Sequence, residues 1–289
     1  MRRLPFLTAA IAAALALAGP ARADPPMWIV RDADSTIVLF GSVHVLPPGE
    51  TWRTAALDDA LAHADDLWFE IPLNEAGQAE VGRQVVARSL LPPGETLTRH
   101  LPDAIAARLQ RTAVRLGLYG PGLERLRPWM AELTLSLAAD IRAGGQTDNG
   151  VEHRIDATTP GSVPRLAMET VAAQVDALAG GPETDQIASL AETLRDLEEE
   201  PDNYQRTVAA WLAGDVVALD AEALEPMRRA TPGVYDRVIT QRNRRWVEII
   251  RRRLAGSGHT VIVVGVGHLI GPGSVPALLR AEGVTVDGP

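Results

Sequence analysis

The sequence predicts an α/β fold: a central mixed, mostly parallel sheet built from N- and C-terminal segments, with a large helical insertion between them. Three observations carry this. Apolar runs of strand length gather near both ends of the chain, at 27–31, 36–40, 66–71 and 260–264. The stretch from about 75 to 255 is dominated by segments of helical period, with one internal strand near 163–168. A strand, a helix and a strand follow one another between residues 36 and 71, the order of a parallel βαβ unit.

Taken in order, residues 1–23 read as a secretory signal peptide. Arg2 and Arg3 give a positive start, 4–18 is an apolar run too short to span a bilayer comfortably, and Ala21-Arg22-Ala23 is a small-x-small cleavage site. The mature chain then starts near Asp24, and the expected location is periplasmic or secreted. No later segment is long and apolar enough to be a transmembrane span, and no cysteine follows the run to carry a lipid anchor. Residues 24–289 form one domain. Strands at 27–31 and 36–40 flank the turn Asp32-Ala33-Asp34-Ser35. A helix over 53–64 puts Ala56, Leu57, Ala60, Leu61 and Ala64 on one face, and the strand 66–71 closes the unit. Helices are expected at 75–90, 102–116, 128–142, 170–179, 184–198 and 203–213, punctuated by Pro/Gly clusters such as Leu91-Pro92-Pro93-Gly94 and Gly180-Gly181-Pro182. A long helix over 234–254, a strand at 260–264, a helix at 275–281 and a strand at 284–286 complete the chain.

Composition removes several chemistries. The 289 residues include no cysteine, so disulfides, thiolate nucleophiles and zinc–thiolate sites are impossible. All 28 basic residues are arginine, which excludes Schiff-base lysines and the lysine of phosphate-binding loops. A net charge of −9 argues against nucleic acid as a partner. No G-x-S-x-G elbow, H-E-x-x-H helix, P-loop or EF-hand loop is present, which argues against a conventional serine esterase or zincin.

What remains is concentrated at strand ends. Gly41-Ser42-Val43-His44 follows Ile37-Val38-Leu39-Phe40, and Gly265-Val266-Gly267-His268 follows Val261-Ile262-Val263-Val264. Each is a buried-type strand, a glycine, two residues and a histidine. A glycine lets the chain leave the sheet sharply and sets the next side chains at the strand's C-terminal edge, where open α/β sheets hold ligands. Glu70 and Glu169 occupy the same position after their own strands. Two imidazoles and one or two carboxylates there suit a divalent metal, and suit equally a metal-free acid–base pair. Spacing leaves both open. Taken singly, Glu70 reads as a solvated strand-end acid and Glu169 as a helix N-terminal acid ahead of Thr170. Arg242 lies in the stripe Tyr235, Val238, Ile239, Arg242, Trp246, Ile249, Ile250, so it points with an apolar face, and Asn243 borders that face. A buried arginine needs a partner, and the strand-end carboxylates or a bound anion are the candidates. An arginine snorkelling to the helix flank is the plainer alternative.

These residues together resemble the TraB/GumN family. Leu39-Phe40-Gly41-Ser42-Val43-His44-Val45-Leu46-Pro47 is similar to its opening motif, and the stretch from Gly267-His268-Leu269-Ile270-Gly271 to Pro276-Ala277-Leu278-Leu279 to its closing motif. Phe69-Glu70, Ala167-Met168-Glu169-Thr170 and Arg242-Asn243 with Trp246 match intermediate elements in the same order. Met168 stands where leucine is usual, and Glu152 where aspartate is usual, which leaves a role at 152 open. The resemblance implies a fold shared with Tiki proteases and with erythromycin-esterase-like and ChaN-like proteins. It implies a hydrolase, metal-dependent and protease-like in the Tiki manner, with His44, Glu70 and His268 on a divalent ion. In the esterase-like manner a histidine would work without metal. Arg242 and Asn243 would steady the carboxylates or an oxyanion, and Glu169 is a further base candidate. The substrate would be a small molecule, a peptide or a glycan. The alternative is a non-catalytic protein that binds a metal, a haem-like group or a polysaccharide in cell-envelope processes.

Overall fold

A computed structural model describes residues 24–289; the signal-peptide reading falls outside the described residues. Strands β1 (Met27–Arg31) and β2 (Ser35–Ser42) form a hairpin. Its turn is held by Asp32, whose carboxylate accepts the backbone N–H groups of Asp34 and Ser35. Strands β3 (Asp66–Phe69), β4 (Arg165–Ala167), β5 (Gly258–Gly265) and β6 (Thr285–Asp287) complete a six-stranded sheet in the order β4-β3-β5-β2-β1-β6. The ladders β2–β5, β5–β3 and β3–β4 are parallel, while β1 runs antiparallel to β2 and β6 antiparallel to β1. The expected mixed, mostly parallel sheet with a helical insertion is therefore what the chain forms.

The two ends of the chain meet inside this sheet. β5 lies between β2 and β3, with Ser42 opposite Gly265 and Phe69 opposite Val263. Thr260 to Val264 are buried on both faces, which explains why β5 reads as an unbroken apolar run without alternation. Helix Ala55–Ala62 carries the crossover from β2 to β3; Thr54 caps it by accepting the Leu57 N–H, and Leu57 and Leu61 face the core. The main core surrounds the sheet and includes Trp28, Phe40, Trp211 and Trp246. A second core lies within the insertion, where Leu109, Leu135, Leu190 and Leu194 join helices Asp103–Leu116, Pro128–Arg142 and Glu183–Glu199.

Differences from the sequence expectation are local. The 53–64 helix is trimmed to its Thr54 cap. The 163–168 strand contracts to β4, an edge strand whose Leu166 is exposed, because only one neighbour is present to pair with it. The last strand moves to Thr285–Asp287, in register with β1. The 234–254 helix is a helical path in three parts: the turn Pro232–Tyr235, a π-helical stretch Asp236–Thr240, and helix Gln241–Leu254. Helix Val151–Thr158 had no counterpart in the expectation.

Candidate active site

The parallel register delivers the strand-end residues to one edge. β2 leads to His44, β3 to Glu70, β4 to Glu169 and β5 to His268. Pairing continues past β3 and β4, where Met168 N donates to Phe69 O and Glu169 N to Glu70 O, so the two glutamates leave the sheet side by side. The two histidine loops also pack together. A Cβ on Gly41 would meet Val266 Cγ2 at 2.8 Å, so only glycine lets the loop after β5 lie against the end of β2.

At the centre sits Arg242, 4% exposed. Its Nη2 donates to Glu70 Oε2 at 2.6 Å and its Nε to Glu169 Oε1 at 2.8 Å. Its Nη1 donates to Val238 O at 3.1 Å and to His268 Nε2 at 2.8 Å. The π-helical turn before it, closed by Gln241 N–H to Asp236 O, holds the Val238 carbonyl where the guanidinium can reach it. Trp246, one turn further on, stacks under both groups: Arg242 Cζ lies 4.8 Å from its ring centroid and the His268 ring 4.3 Å.

His268 is held as a neutral ring. Its Nε2 accepts from Arg242, so its Nδ1 carries the proton and donates to Asn243 Oδ1 at 2.6 Å. Asn243 is oriented in turn by donating Nδ2 to Gly273 O at 2.9 Å. Burial lowers the His268 pKa to about 3, and the adjacent guanidinium acts in the same direction. Glu70 behaves oppositely. Burial pushes its carboxyl up, but the charges around it more than reverse this and hold it well below the ordinary carboxylate range. With His268 neutral, the cations responsible are Arg242 and then His44, helped by Gly265 N–H to Oε1 at 2.8 Å and Gln174 Nε2 to Oε2 at 2.8 Å. Glu169 is raised by burial despite Arg242, and its Oε2 is buried without a hydrogen-bond partner. One guanidinium thus holds two carboxylates whose proton affinities are driven apart.

His44 stands at the mouth. Its side chain is 69% exposed, and its Nδ1 lies 2.9 Å from Glu152 Oε1. Glu152 also accepts the Ser42 hydroxyl at 2.5 Å, and its carboxylate raises the His44 pKa above the ordinary imidazole range, moderated by solvent over the open ring. With Nδ1 turned to Glu152, Nε2 is the atom left for chemistry. A Cβ built on Gly265 would lie 3.1 Å from Glu70 Oε1, 3.9 Å from His268 Cδ2 and 4.0 Å from His44 Nε2. All three expected ligands thus approach the backbone at Gly265.

That convergence does not amount to a metal-holding set. Among the described residues no three His, Asp or Glu side chains are disposed to hold a metal ion. His268 Nε2 and Glu70 Oε2 point at a guanidinium, which already supplies the positive charge there, and Glu70 Oε1 takes a backbone N–H. The residues as they stand do not fit the expected divalent ion.

Two residues escaped the sequence reading. Glu152 carried a signal, its place after Gly150-Val151, but no basis for linking it to His44. Gly150 supplies that link: a Cβ there would meet His44 O at 2.3 Å, so glycine lets the helix Val151–Thr158 start against the His44 backbone. Gln174, four residues past Thr170 in helix Val171–Ala179, gave no signal. The remaining histidines lie elsewhere; His100, for instance, bonds to Glu95 and Glu183 in the insertion.

These features define an α/β protein whose parallel sheet edge carries a buried arginine–glutamate–histidine network with a second histidine at its mouth. The chain belongs to the TraB/PrgY/gumN family, which matches residues 26–288. It is similar to the uncharacterized protein YbaP of Escherichia coli (strain K12), 24% identical over 258 residues, covering 89% of this chain and 92% of the relative. The YbaP of Shigella flexneri is 24% identical over 244 residues, with 84% and 87% covered. No solved structure matches the chain significantly.

Proposed function

We propose that the chain is an exported hydrolase that works without a metal ion, with His44 as general base. The observation that supports this is the approach of two groups to the Gly265 backbone: His44, an imidazole whose Nδ1 is fixed on a carboxylate, and the ionised Glu70. A water held between Glu70 Oε1, which orients it, and His44 Nε2 gives its proton to that nitrogen. Its oxygen bonds to the carbonyl carbon of an ester or amide. The bond to the leaving oxygen or nitrogen then breaks, and the proton on His44 passes to that leaving atom. Arg242 keeps Glu70 ionised, and His268, neutral and fixed between Arg242 and Asn243, holds the guanidinium in place. Export is supported by the Arg2 to Ala23 sequence alone. No helix among the described residues is long and apolar enough to cross a membrane.

A panel of ester, amide, peptide and glycan substrates tests this, run on wild type and His44→Ala with and without chelator. Turnover that survives chelation and vanishes in His44→Ala is expected. Turnover that needs a divalent ion would instead support the metal-dependent reading of the same residues. A second reading has its own support: every Arg242 nitrogen is already bonded to protein, as in a purely structural network. Binding without turnover of any compound on the panel would favour that non-catalytic reading.

A further inference from the structure

A cavity of about 500 Å³ lies within the helical insertion, between helices Pro128–Arg142 and Glu183–Glu199 and the segment 200–231. Its size is that of a small-molecule site. One face of helix Pro128–Arg142 lines it with Glu132, Ser136 and Asp140, spaced at four-residue intervals. Leu116, Met227 and Tyr204 supply apolar and aromatic wall.

Six carboxylates line the cavity; Glu192, Asp196, Glu200 and Glu222 are each paired with an arginine, while Glu132 and Asp140 are not. Glu132 has only hydroxyl partners, Ser189 Oγ at 2.8 Å and Thr193 Oγ1 at 3.1 Å, both on the same oxygen. Asp140 has no side-chain hydrogen bond among the described residues. Arg115 and Arg142 border the cavity, yet among the described residues neither makes an ion pair with Glu132 or Asp140. Burial raises the pKa of both acids, as expected for charges left without a counter-ion. The cavity also touches the candidate active site through one residue, since the Tyr204 hydroxyl donates to Val45 O at 3.4 Å, one residue past His44.

Uncompensated carboxylates in a half-apolar cavity are a cost to folding unless a ligand neutralises them. We propose that this cavity binds an elongated organic dication, a chain carrying an amino group at each end. Glu132 and Asp140 are two helical turns apart, about 12 Å along the axis. A single ammonium cannot engage both, whereas an α,ω-diamine or polyamine of that reach can, with its methylene chain over Ser136 and against Leu116 and Met227. The hydrolytic reading is not required for this.

The test is calorimetric titration of the full chain with 1,8-diaminooctane, with octylamine, 1,8-octanediol and calcium chloride as comparison probes. The diamine is expected to bind at least about tenfold more tightly than octylamine, and the diol not measurably. Asp140→Asn and Glu132→Gln should each reduce the diamine to the affinity of the monoamine. Both variants are also expected to keep or raise the melting temperature of the free protein, which shows that they fold. Equal affinity for diamine and diol would overturn the proposal, as would a diamine affinity unchanged in both variants. Calcium binding without diamine binding would overturn it in favour of a metal site, and absence of diamine binding at millimolar concentration would overturn it outright.

Discussion

Removing Arg242 is the perturbation with the largest calculable effect. Its side chain is 5% exposed, and those of Glu70 and Glu169 are 10% and 5% exposed. Arg242→Ala leaves two buried carboxylates with no cation in contact except Arg245, whose Nη2 stands 3.9 Å from Glu169 Oε2. Breaking a buried ion pair from one side costs about 3–5 kcal/mol. In a domain of this size each kcal/mol shifts the melting temperature by roughly 2–4 °C, so a fall of roughly 10 °C or more is expected at pH 7.5. Two companions identify the cause. Arg242→Ala combined with Glu169→Gln should recover part of the loss, because one stranded charge is gone. Lowering the pH should also narrow the gap. Glu169 already has a raised pKa, and removing Arg242 raises it further. A raised carboxyl pKa favours the fold at low pH, and that support is lost as pH rises through the folded value. Thermal unfolding by circular dichroism at pH 5.0 and 7.5 reads all of this. An Arg242→Ala protein that melts with wild type at both pH values would refute the reasoning, as would a double variant weaker than the single.

Further outcomes follow from the same geometry. Gly265→Ala places a methyl 3.1 Å from Glu70 Oε1 and 4.0 Å from His44 Nε2, without backbone strain at φ −49; it should abolish turnover while changing stability by only about 1 kcal/mol, and a fully active Gly265→Ala would show that no reacting atom uses this space. Because Glu152 raises the His44 pKa, activity should rise with pH through a midpoint above 6.5, and Glu152→Gln should move that midpoint down and lower kcat; an unshifted profile would separate Glu152 from the chemistry. Burial of His268 puts its folded pKa near 3, below the unfolded 6.5, so its contribution to stability is complete above pH 6.5 and declines as pH falls from there; His268→Gln should flatten the acid limb of the stability curve, as followed by urea unfolding. Burial lifts Asp140 to about 6 with no partnering cation among the described residues, so it costs stability progressively as pH rises from its unfolded value through the folded one; in urea unfolding Asp140→Asn should gain on the order of 1 kcal/mol or more at pH 7.5 and a smaller part of that at pH 5.

The frame of the site was readable because strand ends and helix stripes are local patterns. Two Gly-x-x-His turns after buried strands placed His44 and His268 at one edge before any pairing was known, and the stripe through Val238 and Trp246 was enough to bury Arg242. The identity of its partners was also open to inference, since few carboxylates sit where a buried guanidinium can find them. What stayed hidden depends on contacts between distant segments. Glu152 reaches His44 only because Gly150 packs on the His44 carbonyl, and Gln174 reaches Glu70 only because a helix starts just past β4. The π-helical turn that offers Val238 O to Arg242 has the same apolar period as an α-helix over so short a stretch, so no pattern marked it. The expected metal ligands depend on contacts of the same kind. Residue types show that donors are present but not which way their lone pairs face, and here Arg242 takes Glu70 Oε2 and His268 Nε2.

The most direct measurement is turnover by exhaustively metal-stripped wild-type protein, with metal content verified by elemental analysis, beside His44→Ala prepared identically. Undiminished hydrolysis by the stripped wild type is expected on whichever ester, amide or peptide it accepts, and none by His44→Ala. Hydrolysis that disappears on stripping and returns with a stoichiometric divalent ion would contradict the metal-free mechanism.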